Sequence, residues 1–254
     1  MSWGIVFRLR QPLHPIGRMP LPGCRDWMMG QVEKSEIDKE LEPAGEARWP
    51  AARAVLAAIV LTVLLPDGER VGPGWLLPAI EGVLLVAIVA GDPGRINRRS
   101  RLLRGLSIAL VAVLVLGALS STLLLIDALI HGGPETNSAS ALLSAGTTVW
   151  VSNNLAFALL YWELDGGGAA ARAYRLPRHP HFAFPQQQNP ALAPAGWRPR
   201  FVDYLYLGFT NALAFSPTDV MPLVPWAKVA MALQSFISMG ILALVVARAV
   251  NIFT

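Results

Sequence analysis

The sequence predicts an all-α protein, a polytopic transmembrane helix bundle of about six spans, and three observations carry that expectation. Only 15% of the 254 residues are charged and 54% are apolar, where soluble domains carry about 25% charged residues. The apolar residues gather into runs near the roughly 20 residues that cross a 30 Å hydrocarbon core. Proline- and glycine-rich turns, such as Pro66 to Gly68 and Gly91 to Gly94, separate these runs. The net charge of +4 does not point to nucleic acid, because the basic residues lie between the apolar runs and form no cluster with interleaved aromatics. The one cysteine, Cys24, excludes an intramolecular disulfide and any cysteine-based metal site.

Residues 1–48 read as a polar cytoplasmic tail. They lack the basic, apolar, small-residue order of a secretory signal, and KSEIDKELE is rich in helix formers. A four-helix transmembrane region is expected over 49–162. Its first span runs from about Trp49 to Leu65, with Arg53 placed to snorkel to the interface. The second runs from about Val71 to Ala90 with Trp75 as an anchor, the third from about Leu106 to Ile130, and the fourth from about Ala139 to Trp162. Residues 163–200 form a Pro/Gly-rich loop, too polar to cross a bilayer as a helix. His179 and His181 lie in it without a nearby carboxylate or cysteine and read as loop residues.

Orientation follows from the basic residues. Arg95, Arg98, Arg99, Arg101 and Arg104 follow the second span, and Arg172, Arg175, Arg178, Arg198 and Arg200 lie in the long loop. With six spans and both termini inside, 19 of the 21 Lys and Arg residues are cytoplasmic and only Arg70 and Lys228 are outside. The positive-inside rule then places the N-terminus in the cytoplasm of a multi-pass cell-membrane protein.

Residues 201–254 hold a short apolar helix, a proline-broken polar turn and a membrane-length helix. In Asp203, Tyr206, Thr210, Asp219 and Pro222 this segment resembles the pore module of potassium-type ion channels. The resemblance implies a channel-like or transport protein, a homo-oligomer, and a small cation as ligand. Where those channels carry a Thr, Val, Gly, Tyr, Gly, Asp filter, this chain has Ala214, Phe215, Ser216, Pro217, Thr218 and Asp219. Neither glycine that permits the carbonyl ladder is present, so the resemblance does not imply potassium selectivity. The overall layout is similar to that of uncharacterised multi-pass membrane proteins of bacteria. Two readings of Phe201 to Phe215 are open, and the short crossing helix is the favoured one. The segment crosses as a short helix with SPTDVMP at the outer mouth, or it re-enters as a pore helix does, giving five spans plus a re-entrant segment. The side on which the arginines lie favours the crossing. The length, about 22 Å for fifteen residues, favours re-entry.

Candidate functional residues are the polar ones inside apolar segments, since such groups cost free energy in hydrocarbon. Glu81 lies in LLPAIEGVLL with no basic residue beside it; it is a hydrogen-bonded or protonated carboxyl, or a proton or cation site. Asn154 belongs to a stripe with Thr147, Trp150, Ala158 and Tyr161, and Gln234 is one turn from Ser238; such stripes join helices or line a path. Thr210, Asn211, Ser216, Thr218 and Asp219 are the candidates for a polar vestibule, with capping as the alternative role of Asp219. No nucleophile, base and orienter set and no phosphate loop occurs. No enzyme activity and no cofactor is therefore expected. The alternative to transport is a non-conducting scaffold that binds partners in the bilayer.

Overall fold

Six helices meet at two ends of one bundle. The structure is a computed structural model that describes residues 45–96, 100–132, 137–174, 179–194, 197–214 and 219–253. All lie in one compact unit, Pro43–Thr254. The tail expected over residues 1–48 therefore lies outside the described residues up to residue 44. The helices are α1 (Trp49–Leu64), α2 (Leu76–Gly91), α3 (Arg101–His131), α4 (Ala139–Leu164), the short α5 (Ala169–Ala173) and α6 (Pro185–Gln188), then α7 (Phe201–Ala214) and α8 (Pro225–Phe253). Strands β1 (Phe182–Ala183) and β2 (Met221–Pro222) make the two-stranded sheet. Among the described residues α3 and α8 are long and apolar enough to cross a membrane, and α1 and α2 are apolar but shorter.

Local sequence explains the boundaries. Leu65 leaves α1 in an extended conformation at ψ 138°, as the residue before Pro66 must. Gly72, at φ +74°, and Pro73 delay α2 to Leu76. Ser138 caps α4, its hydroxyl accepting the Ala141 N–H at 3.2 Å. Pro225 opens α8, where its missing N–H costs nothing. Asp203 closes the first turn of α7 by accepting the Arg200 N–H at 2.7 Å.

The central helix is α4, which touches α1, α3, α7 and α8. The near end of the bundle holds the start of α1 and the end of α2, joined where Arg48 bonds Asp92 at 3.0 Å. It also holds the start of α3 and the end of α4, joined by the Arg104–Glu163 ion pair. At the far end the Arg248 side chain donates to Asn137 at 3.3 Å. One apolar core runs through α1–α4 and α7 and takes in Phe182 and Phe184, while a smaller cluster of Leu125, Leu142, Val149 and Ile241 fills the far half between α3, α4 and α8.

The position of α7 differs from the crossing that the basic residues favour. β1 pairs antiparallel with β2, Phe182 opposite Pro222 and Ala183 opposite Met221, and the Leu223 N–H donates to the His181 carbonyl at 2.8 Å. Residues 182–183 precede α7 and residues 221–222 follow it, yet they lie side by side at the near end. The two helices also run in parallel, since Phe182 touches both Tyr204 and Trp226 and further along Asn211 meets Met231 and Gln234. The chain therefore enters the bundle in α7 and returns to the end it left. Met221 and Pro222 do not sit at the far end, where a crossing would have placed them, and 215–218 lie outside the described residues. The physical reason is length, because fourteen residues of helix rise about 21 Å, and the sheet then fixes the return. The described residues of 163–200 likewise form more than a loop, since they include α5, β1, α6 and 3₁₀ turns.

Candidate functional site: a buried carboxylate between stacked cavities

Of the predicted site residues, the structure brings Asn154, Asn211 and Gln234 together. Gln234 on α8 is fully buried. Its oxygen accepts from the Tyr161 hydroxyl and from the Asn211 amide, each at 2.8 Å. Its nitrogen donates to the Gly208 carbonyl at 3.0 Å and to Asn154 at 3.3 Å. Asn211 also donates to the Met231 carbonyl at 2.9 Å and its oxygen accepts from Ser235 at 3.2 Å. Every polar group of this set has a partner. The set joins α4, α7 and α8, and Asn211 faces these helices and no vestibule. Thr210 turns its hydroxyl to the Tyr206 carbonyl of its own helix at 2.9 Å. Asp219 is exposed. Ser216 and Thr218 lie outside the described residues.

Glu81 stands apart from that network. It is 1% exposed, inside the bundle of α1–α4, and its Oε2 has no hydrogen-bond partner. Two cavities lie along the axis of this bundle. The nearer, of about 40 Å³, is lined by Arg48 and Val55 of α1, Leu85 of α2, Leu110 of α3 and Leu159 of α4. The farther, of about 20 Å³, is lined by Thr62, Leu77, Ser121 and Ser152 from the same four helices. On α2, Leu85 is one turn to the near side of Glu81 and Leu77 one turn to the far side, so along the helix Glu81 falls between the residues that line the two cavities. Glu81 shares a face of α2 with Leu77 and Leu85 but lines neither cavity itself. The Ser152 hydroxyl also lacks a hydrogen-bond partner.

The nearer cavity shares Arg48, Ser107, Trp162 and Glu163 with a vestibule of about 810 Å³ at the near end. Arg101, Arg104 and His181 also line the vestibule. Behind its wall lies a buried network. Asp165 is fully buried and accepts the Tyr204 hydroxyl at 2.5 Å and the His181 N–H at 2.7 Å. Arg172 lies 5.0 Å from the Tyr204 ring centre and donates to the carbonyls of Trp162 and Asp165 at 2.7 and 2.6 Å. Glu46 accepts from the Trp162 indole at 2.8 Å and from the Phe201 N–H at 2.5 Å. Burial pushes the Glu46 carboxyl up from its ordinary value, and the bonds from Trp162 and Phe201, with the charges of Arg172 and Arg200, pull it part of the way back.

Sequence reasoning missed Glu163, Asp165 and Glu46, because a charge at the end of an apolar run reads as interfacial. The one local signal was the WELD sequence, with two acids next to an aromatic. Among the described residues no group of three His, Cys, Asp or Glu side chains is placed to hold a metal ion. Comparison with family models, with curated proteins and with solved structures gives no match.

Proposed function

We propose that this chain is a multi-pass membrane protein that moves a small cation through the α1–α4 bundle. The observation that carries the reading is the carboxylate of Glu81, buried with a partnerless oxygen on α2 between the residues that line two axial cavities. A bundle that served only as a scaffold would gain by filling that axis with apolar side chains.

The membrane part of the reading rests on an inside-out distribution. Large apolar side chains face outward along the helices, among them Val60 and Val63 of α1, Val83 and Val86 of α2, Leu116 and Leu123 of α3, and Phe236 and Val246 of α8. Glu81, Asn153, Asn154, Gln234 and Ser238 are buried instead. Hydrocarbon as solvent explains both. Exposed Trp49 and Trp75 suit the two interfaces and let α1 and α2, about 24 Å each at sixteen residues, span with snorkelling flanks. On this reading α1, α2, α3, α4 and α8 cross and α7 re-enters. Lys228 then joins the inside and Arg248 the outside, so the count of 19 of the 21 basic residues on the inner side is unchanged, and the near end faces the cytoplasm.

The α7–α8 module, which resembles a pore, serves here as a scaffold. Its buried amides are satisfied within the chain, and it lacks the filter glycines. The cation path lies within one protomer and requires no homo-oligomer. Purified protein in liposomes, assayed for flux of protons, Na⁺ and K⁺ against empty liposomes, tests the reading. Flux of at least one of these ions is expected. No flux of any of them would leave the whole chain as a non-conducting scaffold.

A further inference from the structure

Resting on that transport reading, we propose that the transported ion is the proton and that Glu81 is the group that carries it from one cavity to the other. The argument begins with space. A site for one water needs roughly 10–15 Å³, so the cavities of about 40 and 20 Å³ hold a few waters between them and cannot hold a metal ion with its hydration shell. An alkali cation also needs several oxygen ligands, and carboxylates and carbonyls in number supply them. Among the described residues Glu81 is the one carboxylate on α2 within its helical span. Facing it, α1 contributes no ionisable group beyond Arg48 and the exposed Arg53 near its start, α3 none between Arg104 and Asp127, and α4 none before Tyr161, while the fully buried Glu69 lies in the turn after α1 that packs on α3. A lone carboxyl with hydroxyl neighbours cannot replace a hydration shell, but it can take up and release a proton.

The order of groups along the axis fits that task. From the vestibule, water reaches Ser107 and the nearer cavity beside the Arg104–Glu163 ion pair. A hydrated proton there gives its proton to a Glu81 oxygen, forming the O–H bond and leaving neutral water. Release is the reverse step toward water in the farther cavity, where Thr62, Ser121 and Ser152 offer hydroxyls that both donate and accept. Only a proton moves, in the direction of its gradient, and the carboxyl returns to its starting state. The orphaned Oε2 of Glu81 and the orphaned Ser152 hydroxyl are the atoms this relay leaves open for water.

The test uses the full chain in liposomes that contain a pH-sensitive dye, with the membrane potential clamped by valinomycin and K⁺. Proton influx into wild-type vesicles is expected to fall at least tenfold in Glu81→Gln and to be partly kept in Glu81→Asp, which titrates but is shorter. Glu81→Gln that conducts protons like wild type overturns the inference. Flux of Na⁺ or K⁺ without protons overturns it too and leaves the transport reading standing, while flux of no ion ends both. Should Glu81→Gln fail to fold, the wild type itself supplies the answer. A hydrophobic carbodiimide, which reacts with protonated carboxyls in apolar surroundings, should modify Glu81, as located by mass spectrometry, and stop proton influx. Modification that spares Glu81, or that leaves influx intact, contradicts the assignment.

Discussion

Phe182 stands opposite Pro222 in the two-residue antiparallel ladder, and that pairing places the chain before α7 and the chain after it at one end of the bundle. An apolar helix followed by a proline turn can be a crossing, which the basic residues favour, or a re-entry. The ladder supports the proposed re-entry, because a strand pair is only about 4.8 Å wide.

Topology is accordingly the first prediction. In a Cys24→Ser background, single cysteines at the exposed positions 188 and 219 should both be shielded from an impermeant thiol reagent added outside intact cells. Both should react once the cells are opened. An epitope tag after Thr254 should be reachable from outside. Labelling at 219 from the outside, with 188 shielded, would contradict the re-entry.

Removing the hub of the α4–α7–α8 junction should destabilise the protein. Gln234→Leu leaves the Tyr161 hydroxyl without an acceptor and strips Asn154 and Asn211 of a partner each. Orphaned buried polar groups cost about 1–3 kcal/mol, and hydrogen bonds between membrane helices average about 0.6 kcal/mol, so a loss of about 1–2 kcal/mol is expected. Ser238→Ala is the control, since the buried Ser238 hydroxyl has no hydrogen-bond partner to lose. Thermal melting in detergent, compared between the two variants, measures the difference.

How much of this was legible in the sequence varies by residue. Pro66, the Gly91 to Gly94 turn and Pro225 mark helix ends through local sterics, so the all-α class and most helix limits could be read directly. Asn154 and Gln234 were visible as polar positions in apolar runs, but their mutual partners are eighty residues apart and carry no local sign. The direction of α7 was hidden for the same reason, because it is set by strands about forty residues apart. Glu81 could be singled out because a carboxylate in a helix otherwise free of charge needs a reason to be there. The cavities that flank it arise from the packing of four helices, which no single stretch encodes.

The raised Glu46 carboxyl gives a pH dependence with a definite sign. Its folded value lies above the ordinary 4.5 because burial disfavours the charge. Its contribution to stability is therefore complete below the unfolded value and is lost as the pH rises through the folded one. The melting temperature of wild type relative to Glu46→Gln should rise as the pH is lowered from neutral toward the ordinary carboxyl value. A difference between the two proteins that stays constant with pH would show that Glu46 does not titrate in that range.

Glycine positions on α4 and α7 separate close packing from simple contact. A Cβ at Gly146 would lie 2.9 Å from a Val245 methyl on α8, whereas one at Gly208 would meet Ala158, Asn154 and Gln234 at 3.5 Å, an ordinary contact distance. Alanine gains about 1 kcal/mol of helix propensity over glycine at either site. Gly208→Ala should therefore be neutral or stabilising by up to about 1 kcal/mol, provided the Gln234 bond to the Gly208 carbonyl survives. At Gly146 the overlap costs about 1–3 kcal/mol, which outweighs the gain, so Gly146→Ala should melt lower than wild type. Val245→Ala removes the methyl in question, and the double variant Gly146→Ala with Val245→Ala should melt higher than the sum of the single effects. If the two substitutions simply add, the helices α4 and α8 are not held together at this pair.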